Sequence, residues 1–203
     1  MVDRRKIRYA VVGTGGRAQG FIRDLVTTYT NEGELVGLAD TNNGRLEYHN
    51  KVITEELGHH KIAAYHSDNF DLMVEETNPD VVIVTTIDAA HHKYIIRAME
   101  LGCDAITEKP MTIDEVKCND IMDAIKRTGK KLRVLFNYRW APANTKVREI
   151  LESGTIGEIL HVDMEYWLNT SHGADYFRRW HREKNNSGGL IVHKATHHFD
   201  LVN

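Results

Sequence analysis

Short apolar runs alternate with longer amphipathic ones through the first 136 residues, and this alternation constrains the fold more than any other feature. Lys6–Val12, Glu34–Ala39, Lys61–Tyr65, Val81–Thr85, Cys103–Thr107 and Lys131–Phe136 read as strands. Between them, Gly16–Tyr29, Asn43–Leu57, Asp68–Glu76, Ala89–Leu101 and Thr112–Arg127 read as helices. A regular strand–helix alternation predicts a parallel sheet with helices on both faces, since a parallel neighbour is reached only by crossing over the sheet. The strands show no clean in–out alternation, as expected where both faces are buried. Asn78-Pro79-Asp80 breaks the chain before the fourth strand, and Gly102 ends the fourth helix. Thr112 and Glu115 are spaced as a capping box for the fifth helix.

The pattern changes after Phe136. Pro142 opens a helix that closes at Gly154, and Ile156-Gly157 reads as a turn. Glu158–Leu168 alternates like an antiparallel strand with one exposed face. Residues 169–189 are polar and aromatic and read as a loop, whereas Ile191–Val202 is apolar at helical spacing. The expectation is a doubly wound α/β domain over residues 1–137, followed by the beginning of an α+β domain with an antiparallel sheet over 138–203. One strand and one helix cannot bury a sheet face. The chain is therefore expected to be a fragment, or to take partner strands from elsewhere.

Composition excludes several classes. The 203 residues are 41% hydrophobic and 27% charged with a formal charge of −3, which gives no reason to expect nucleic acid or an anionic membrane as partner. No apolar run is long enough to span a bilayer, and the basic start lacks the apolar core of a signal peptide. Two cysteines, Cys103 and Cys118, read as reduced thiols in a cytoplasmic protein.

The turn between the first strand and helix is Gly13-Thr14-Gly15-Gly16-Arg17-Ala18, which fits GxGxxA in the strand–turn–helix context the motif requires. Gly13 permits the tight turn, Gly15 lets the backbone approach a pyrophosphate, and Ala18 allows close helix–strand packing. The helix N-terminus presents free N–H groups to phosphate. Asp40 ends the second strand, where the fingerprint places an acid for the ribose hydroxyls. A carboxylate there favours NAD over NADP. Arg45, five residues on, keeps NADP as the weaker alternative.

More distinctive residues follow. Thr86 and His91 come after the fourth strand, and Glu108-Lys109-Pro110 after the fifth. Asn137-Tyr138-Arg139, Ser153–Ile159 and Ser187-Gly188-Gly189-Leu190 come next, then His193, His197 and Asp200. In order and spacing this chain resembles the glucose–fructose oxidoreductase/inositol dehydrogenase family (Gfo/Idh/MocA) along essentially its whole length. The resemblance implies a Rossmann domain, an α/β domain with a large open antiparallel sheet, a sugar or cyclitol substrate between them, and a homo-oligomer packed through the sheets. It implies that Thr85, Thr86, His91, Glu108, Asn137 and Arg139 join the glycine turn and Asp40 along the cofactor. It also implies that Lys109 lies near the nicotinamide and the reacting carbon, and that His197 is the acid/base partner of hydride transfer. His193 stands where many members of the family carry Asp.

The chemistry suits these residue types. An ammonium at Lys109 can favour the deprotonated form of a substrate hydroxyl. A neutral imidazole can take a proton at neutral pH. A second imidazole at His193 cannot supply the negative charge of the missing carboxylate. His193, His197 and Asp200 fall at i, i+4 and i+7 and are expected to share one helix face, with His198 pointing elsewhere. A His-x-x-x-His pair could hold a metal, but apart from Asp200 no third ligand is spaced for it, so none is expected. Tyr166, Trp167, Tyr176, Phe177 and Trp180 could stack on a sugar or simply pack. Arg178, Arg179, His181 and Arg182 could meet an acidic sugar or form a solvated charge run. Three functions remain open: an NAD-dependent oxidoreductase of a sugar or polyol hydroxyl, an NAD-assisted glycoside hydrolase or lyase, and a cofactor-binding fragment or redox sensor without catalysis.

Overall fold

A computed structural model describes residues 5–203. Six strands form one sheet: β1 (Ile7–Val12), β2 (Gly33–Asp40), β3 (Ala63–His66), β4 (Val81–Val84), β5 (Asp104–Glu108) and β6 (Leu132–Leu135). All are parallel, in the order β3-β2-β1-β4-β5-β6. The order reverses between β1 and β4, so the loops leaving their carboxyl ends part in opposite directions. That leaves a crevice of the kind in which such sheets bind ligands.

Side-chain alternation divides the core into two layers. Val11, Leu35, Leu38 and Ile83 face α1 (Ala18–Val26) and α2 (Asn43–Lys51), meeting Ala18, Ile22, Leu25 and Leu46. Ala10, Val12, Val82, Val84 and Ala105 face the other way. They meet Phe70 and Met73 of α3 (Phe70–Thr77), Tyr94 and Ile95 of α4 (His91–Glu100), and Ile121 of α5 (Glu115–Thr128). Neighbours one residue apart thus serve opposite layers, which is why the strands read as continuous apolar runs.

Helix ends follow local chemistry. Asn78 closes α3 in the left-handed region at φ 43°, just before Pro79. The cap of α5 differs from the sequence expectation: Asp114, in extended backbone, accepts from the Lys117 N–H at 2.9 Å, so the helix begins at Glu115 rather than Thr112. Thr112 is buried, and its hydroxyl makes no hydrogen bond. The expected helix over 43–57 continues past α2 into a wider turn, Val52–Glu56, closed by the Leu57 N–H on the Val52 carbonyl at 3.1 Å.

Beyond β6 a short turn, Asn137–Trp140, leads to α6 (Pro142–Glu152), with proline in its first turn, where its missing N–H costs nothing. The strand expected over 158–168 does not form. The segment is exposed and without regular structure, because no other stretch among the described residues offers a strand to pair with it. The antiparallel sheet of the second domain is accordingly absent from the described residues. Residues 169–189 are not a plain loop but four short helical turns: Thr170–Gly173, Asp175–Arg178, Trp180–Arg182 and Lys184–Ser187. The single helix expected over 191–202 is two, Leu190–His193 and Thr196–Val202, parted at Lys194 and Ala195. No helix among the described residues is long and apolar enough to cross a membrane.

Candidate active site

The glycine turn is built into the sheet. Gly13 has φ 87°, and a Cβ there would lie 2.6 Å from the Thr86 nitrogen, so only glycine fits between β1 and the end of β4. The Gly13 N–H donates to the Ala39 carbonyl at 2.8 Å, and the Thr85 hydroxyl donates to the Gly13 carbonyl at 2.6 Å. Gly15 and Gly16 are the reverse case: a Cβ at either would meet nothing within 4 Å. The turn therefore leaves open room in front of the N-terminus of α1, where a phosphate group fits. Buried Ala18 begins α1 against the sheet.

Asp40 lies beneath this turn, 3% exposed. Its Oδ2 accepts from the Thr14 N–H at 2.6 Å and the Thr14 hydroxyl at 3.1 Å, and its Oδ1 accepts from the Asn42 N–H at 2.8 Å. Arg45 reaches the same oxygen at 3.4 Å. The His49 ring donates to the Thr14 carbonyl across 2.9 Å. The acid expected to hold a ribose thus also shapes the turn, a role its sequence position did not reveal.

Across the crevice, β5 ends at Glu108, and Lys109 and Pro110 follow it. Arg17 of the glycine turn pairs with Glu108 at 2.5 Å, so the turn after β1 and the end of β5 are joined by an ion pair. His91 bridges the segment after β5 and the one after β4, with Nδ1 2.9 Å from the Pro110 carbonyl and Nε2 3.2 Å from the Thr86 carbonyl. Burial lowers its pKa, so the ring is neutral and donates to only one of them.

The C-terminal segment docks on this edge. The Lys109 ammonium donates to the His193 carbonyl at 2.8 Å, and burial lowers its pKa. His193 Nδ1 lies 2.5 Å from Oδ2 of Asp88, and both residues are buried. Tyr176, Trp180 and His181 meet the His193 ring edge-on, with centroids at 5.4, 5.6 and 4.7 Å. His197 turns another way, stacked on Tyr138 at 4.0 Å and 8°, with its buried Nδ1 unpartnered. Lys194 donates to the Tyr138 hydroxyl at 2.7 Å. Burial, then the Lys109 and Lys194 ammonium groups, push His193 down to about 3 and His197 to about 4. Both imidazoles are thus neutral bases at pH 7. Burial drives Asp88 the other way, up to about 7.

Glu108 pairs with Arg17, and neighbouring Lys109 bonds His193, so these four residues come together at the carboxyl end of β5. His193, His197 and Asp200 do not share a face, because the backbone breaks at Lys194 and Ala195. Asp200 instead binds Arg139, which leaves that guanidinium committed within the protein. Asn137 is exposed, and the Thr86 hydroxyl donates to the Ile87 carbonyl. Of the aromatic residues, Tyr176 and Trp180 pack on His193, Tyr166 packs on His198 at 4.5 Å, and Trp167 and Phe177 are exposed. Arg179 and Arg182 pair with Asp175 and Glu183. Among the described residues no three His, Cys, Asp or Glu side chains cluster as a metal site. Asp88 was missed. It follows β4 closely, where an acid reads as the cap of α4, although it stands at the carboxyl end of the sheet, where ligand-binding residues gather.

These features define a dinucleotide-binding α/β domain with the start of a second segment docked against its ligand edge. Residues 7–136 match the model of an oxidoreductase family with an NAD-binding Rossmann fold, and residues 148–203 match that family's C-terminal alpha/beta domain. The chain belongs to the Gfo/Idh/MocA oxidoreductase family. It is 39% identical over 183 residues to YteT of Bacillus subtilis, covering 90% of this chain and 42% of that protein. It is 23% identical over 202 residues to an inositol 2-dehydrogenase/D-chiro-inositol 3-dehydrogenase of Lactiplantibacillus plantarum, covering 99% and 53%. The fold matches a scyllo-inositol dehydrogenase of Lactobacillus casei, solved with NAD(H) and scyllo-inositol, at a TM-score of 0.77 and 20% identity, covering 98% of this chain and 55% of that one. The chain spans about half the length of the curated relatives it matches.

Proposed function

We propose that this chain is the cofactor-binding part, with the first segment of the substrate domain, of an NAD-dependent oxidoreductase acting on a hydroxyl-bearing carbon of a sugar or cyclitol. The observation that carries this reading is Lys109. Its ammonium stands at the carboxyl end of β5, joined through neighbouring Glu108 to the glycine turn and through its own hydrogen bond to His193. The inositol dehydrogenases among the relatives support the substrate class. The division near residue 137 is supported by the end of β6 at Leu135.

The nicotinamide, when bound, supplies the hydride acceptor. The protein's own work is to bind, orient and move a proton. Gly13–Ala18 and the N-terminus of α1 hold the pyrophosphate. The negative charge of Asp40 opposes a ribose phosphate and so favours NAD over NADP. Lys109 donates toward the substrate oxygen and stabilises its alkoxide character. A neutral imidazole from His193 or His197 accepts the hydroxyl proton while hydride leaves carbon.

The test is a panel of inositols, sugars and sugar acids offered to the full-length protein with NAD or NADP, followed at 340 nm. NADH formation with an oxidised sugar or cyclitol supports the proposal. Cleavage of a glycoside without net absorbance change assigns the protein to NAD-assisted hydrolysis instead. Binding of NADH with no response to any compound leaves a cofactor-binding module.

A further inference from the structure

We propose that Asp88 is the carboxylate partner of His193, and that this pair, rather than His197, takes up the proton released by the substrate hydroxyl. The inference rests on the oxidoreductase reading above. The geometry is specific: the two side chains come from positions 105 residues apart, approach to 2.5 Å between Oδ2 and Nδ1, and are both buried. With Nδ1 committed to Asp88, only Nε2 of His193 remains to meet a substrate. The ring cannot turn away without losing its edge contacts with Tyr176, Trp180 and His181. Lys109 fixes the backbone of the same residue through its carbonyl. The carboxylate absent from position 193 is thus supplied from the turn after β4. Among the described residues no carboxylate is hydrogen-bonded to the His197 ring: its Nδ1 is buried without a partner, and its face is covered by Tyr138.

The step balances simply. The substrate O–H bond breaks and its proton passes to Nε2 of His193. Nδ1–H stays hydrogen-bonded to the Asp88 carboxylate, which holds the new imidazolium, and the C–H bond electrons leave as hydride to the nicotinamide. The pair is competent when it holds one proton between Asp88 and His193 and loses its base function when it holds two. The groups facing it are His91 from the start of α4, Glu108 at the end of β5 and Lys109 just after it, Tyr176 and His181 from the preceding helical turns, and Lys194 beside His193. Burial pushes Asp88 to about 7, so the second proton is lost near neutrality and the rate rises with pH through that range.

The experiment compares Asp88→Asn, Asp88→Glu, His193→Gln and the Asp88→Asn/His193→Gln double variant of the full-length protein, using myo-inositol or the best substrate from the panel above. The readouts are NADH binding by fluorescence and kcat against pH. Expected are a loss of kcat of about 100-fold or more in Asp88→Asn with NADH affinity kept, disappearance of the rise through neutrality, partial recovery in Asp88→Glu, and a double variant no worse than the poorer single one. Should Asp88→Asn fail to fold, Asp88→Glu still decides, by a displaced pH profile if the proposal holds and an unchanged one if it does not. An active wild type with Asp88→Asn near its rate and pH profile, or with independent losses from the two positions, overturns the role of Asp88 alone. A wild type that turns over nothing on the panel overturns the oxidoreductase reading, and this inference with it.

Discussion

The Lys109 ammonium donates to the His193 carbonyl at 2.8 Å, so one side chain from the edge of the sheet holds the C-terminal segment by its backbone. Lys109→Met should therefore show two effects. Turnover of the full-length protein should fall by about 100-fold or more, since under the proposed function Lys109 is the donor to the developing negative charge. Amide exchange in Leu190–His193 should accelerate, because the anchoring bond is lost. Unchanged exchange alongside lost turnover would mean that the bond to His193 contributes nothing to docking.

Asp40 shapes the turn and is proposed to face the cofactor, and two substitutions separate these roles. Asp40→Ala leaves the buried Thr14 N–H without its acceptor and should cost about 1–3 kcal/mol in a denaturant melt. Asp40→Asn keeps an oxygen for that N–H but removes the charge. It should narrow the preference for NAD over NADP in paired binding titrations while changing stability less. A preference unmoved by Asp40→Asn would remove the carboxylate from cofactor choice.

Gly13→Ala combines a left-handed backbone with a Cβ 2.6 Å from the Thr86 nitrogen. Strain and overpacking together should cost about 2–4 kcal/mol, seen as a lower Tm. Gly16→Ala meets open space and should hardly change stability, while under the proposed function its methyl enters the room for phosphate and should weaken NADH binding.

His197 is pushed down to about 4, chiefly by burial, from an ordinary value of 6.5. Between those values the unfolded chain binds the proton and the folded chain does not. The contribution of a neutral His197 is therefore full above pH 6.5 and is lost as pH falls through about 4. His197→Phe keeps an aromatic ring against Tyr138 and should flatten that part of the stability profile. Parallel wild-type and variant curves from pH 7 to 4 would show that His197 is not buried as described.

What the sequence revealed and what it hid follow from the range of the interactions. The six strands, the turn at Gly13 and the Lys109 motif are local patterns, and each appears where its spacing placed it. Glu158–Leu168 has the alternation of a strand, but alternation only sorts faces, and a strand also needs a neighbour. The Thr112 capping box lost to Asp114, two residues on, where the backbone is extended. The common face of His193, His197 and Asp200 assumed an unbroken helix, and the break at Lys194 and Ala195 sends them to Asp88, Tyr138 and Arg139 respectively. Asp88 was hidden because its meaning lies in a partner 105 residues away.

The exposed segment over 158–168 carries a practical cost. Leu160 and Trp167 are 87% and 89% exposed, and the peptide groups around them are free of any ladder, which makes the segment a template for strand addition between copies. Asp163 and Glu165 stand on the opposite face from the row Leu160, Val162, Met164, Tyr166 and Leu168, and they repel their own images in register, acting as gatekeepers. Solubility of the isolated chain should thus depend on those two charges, whatever happens in the crevice.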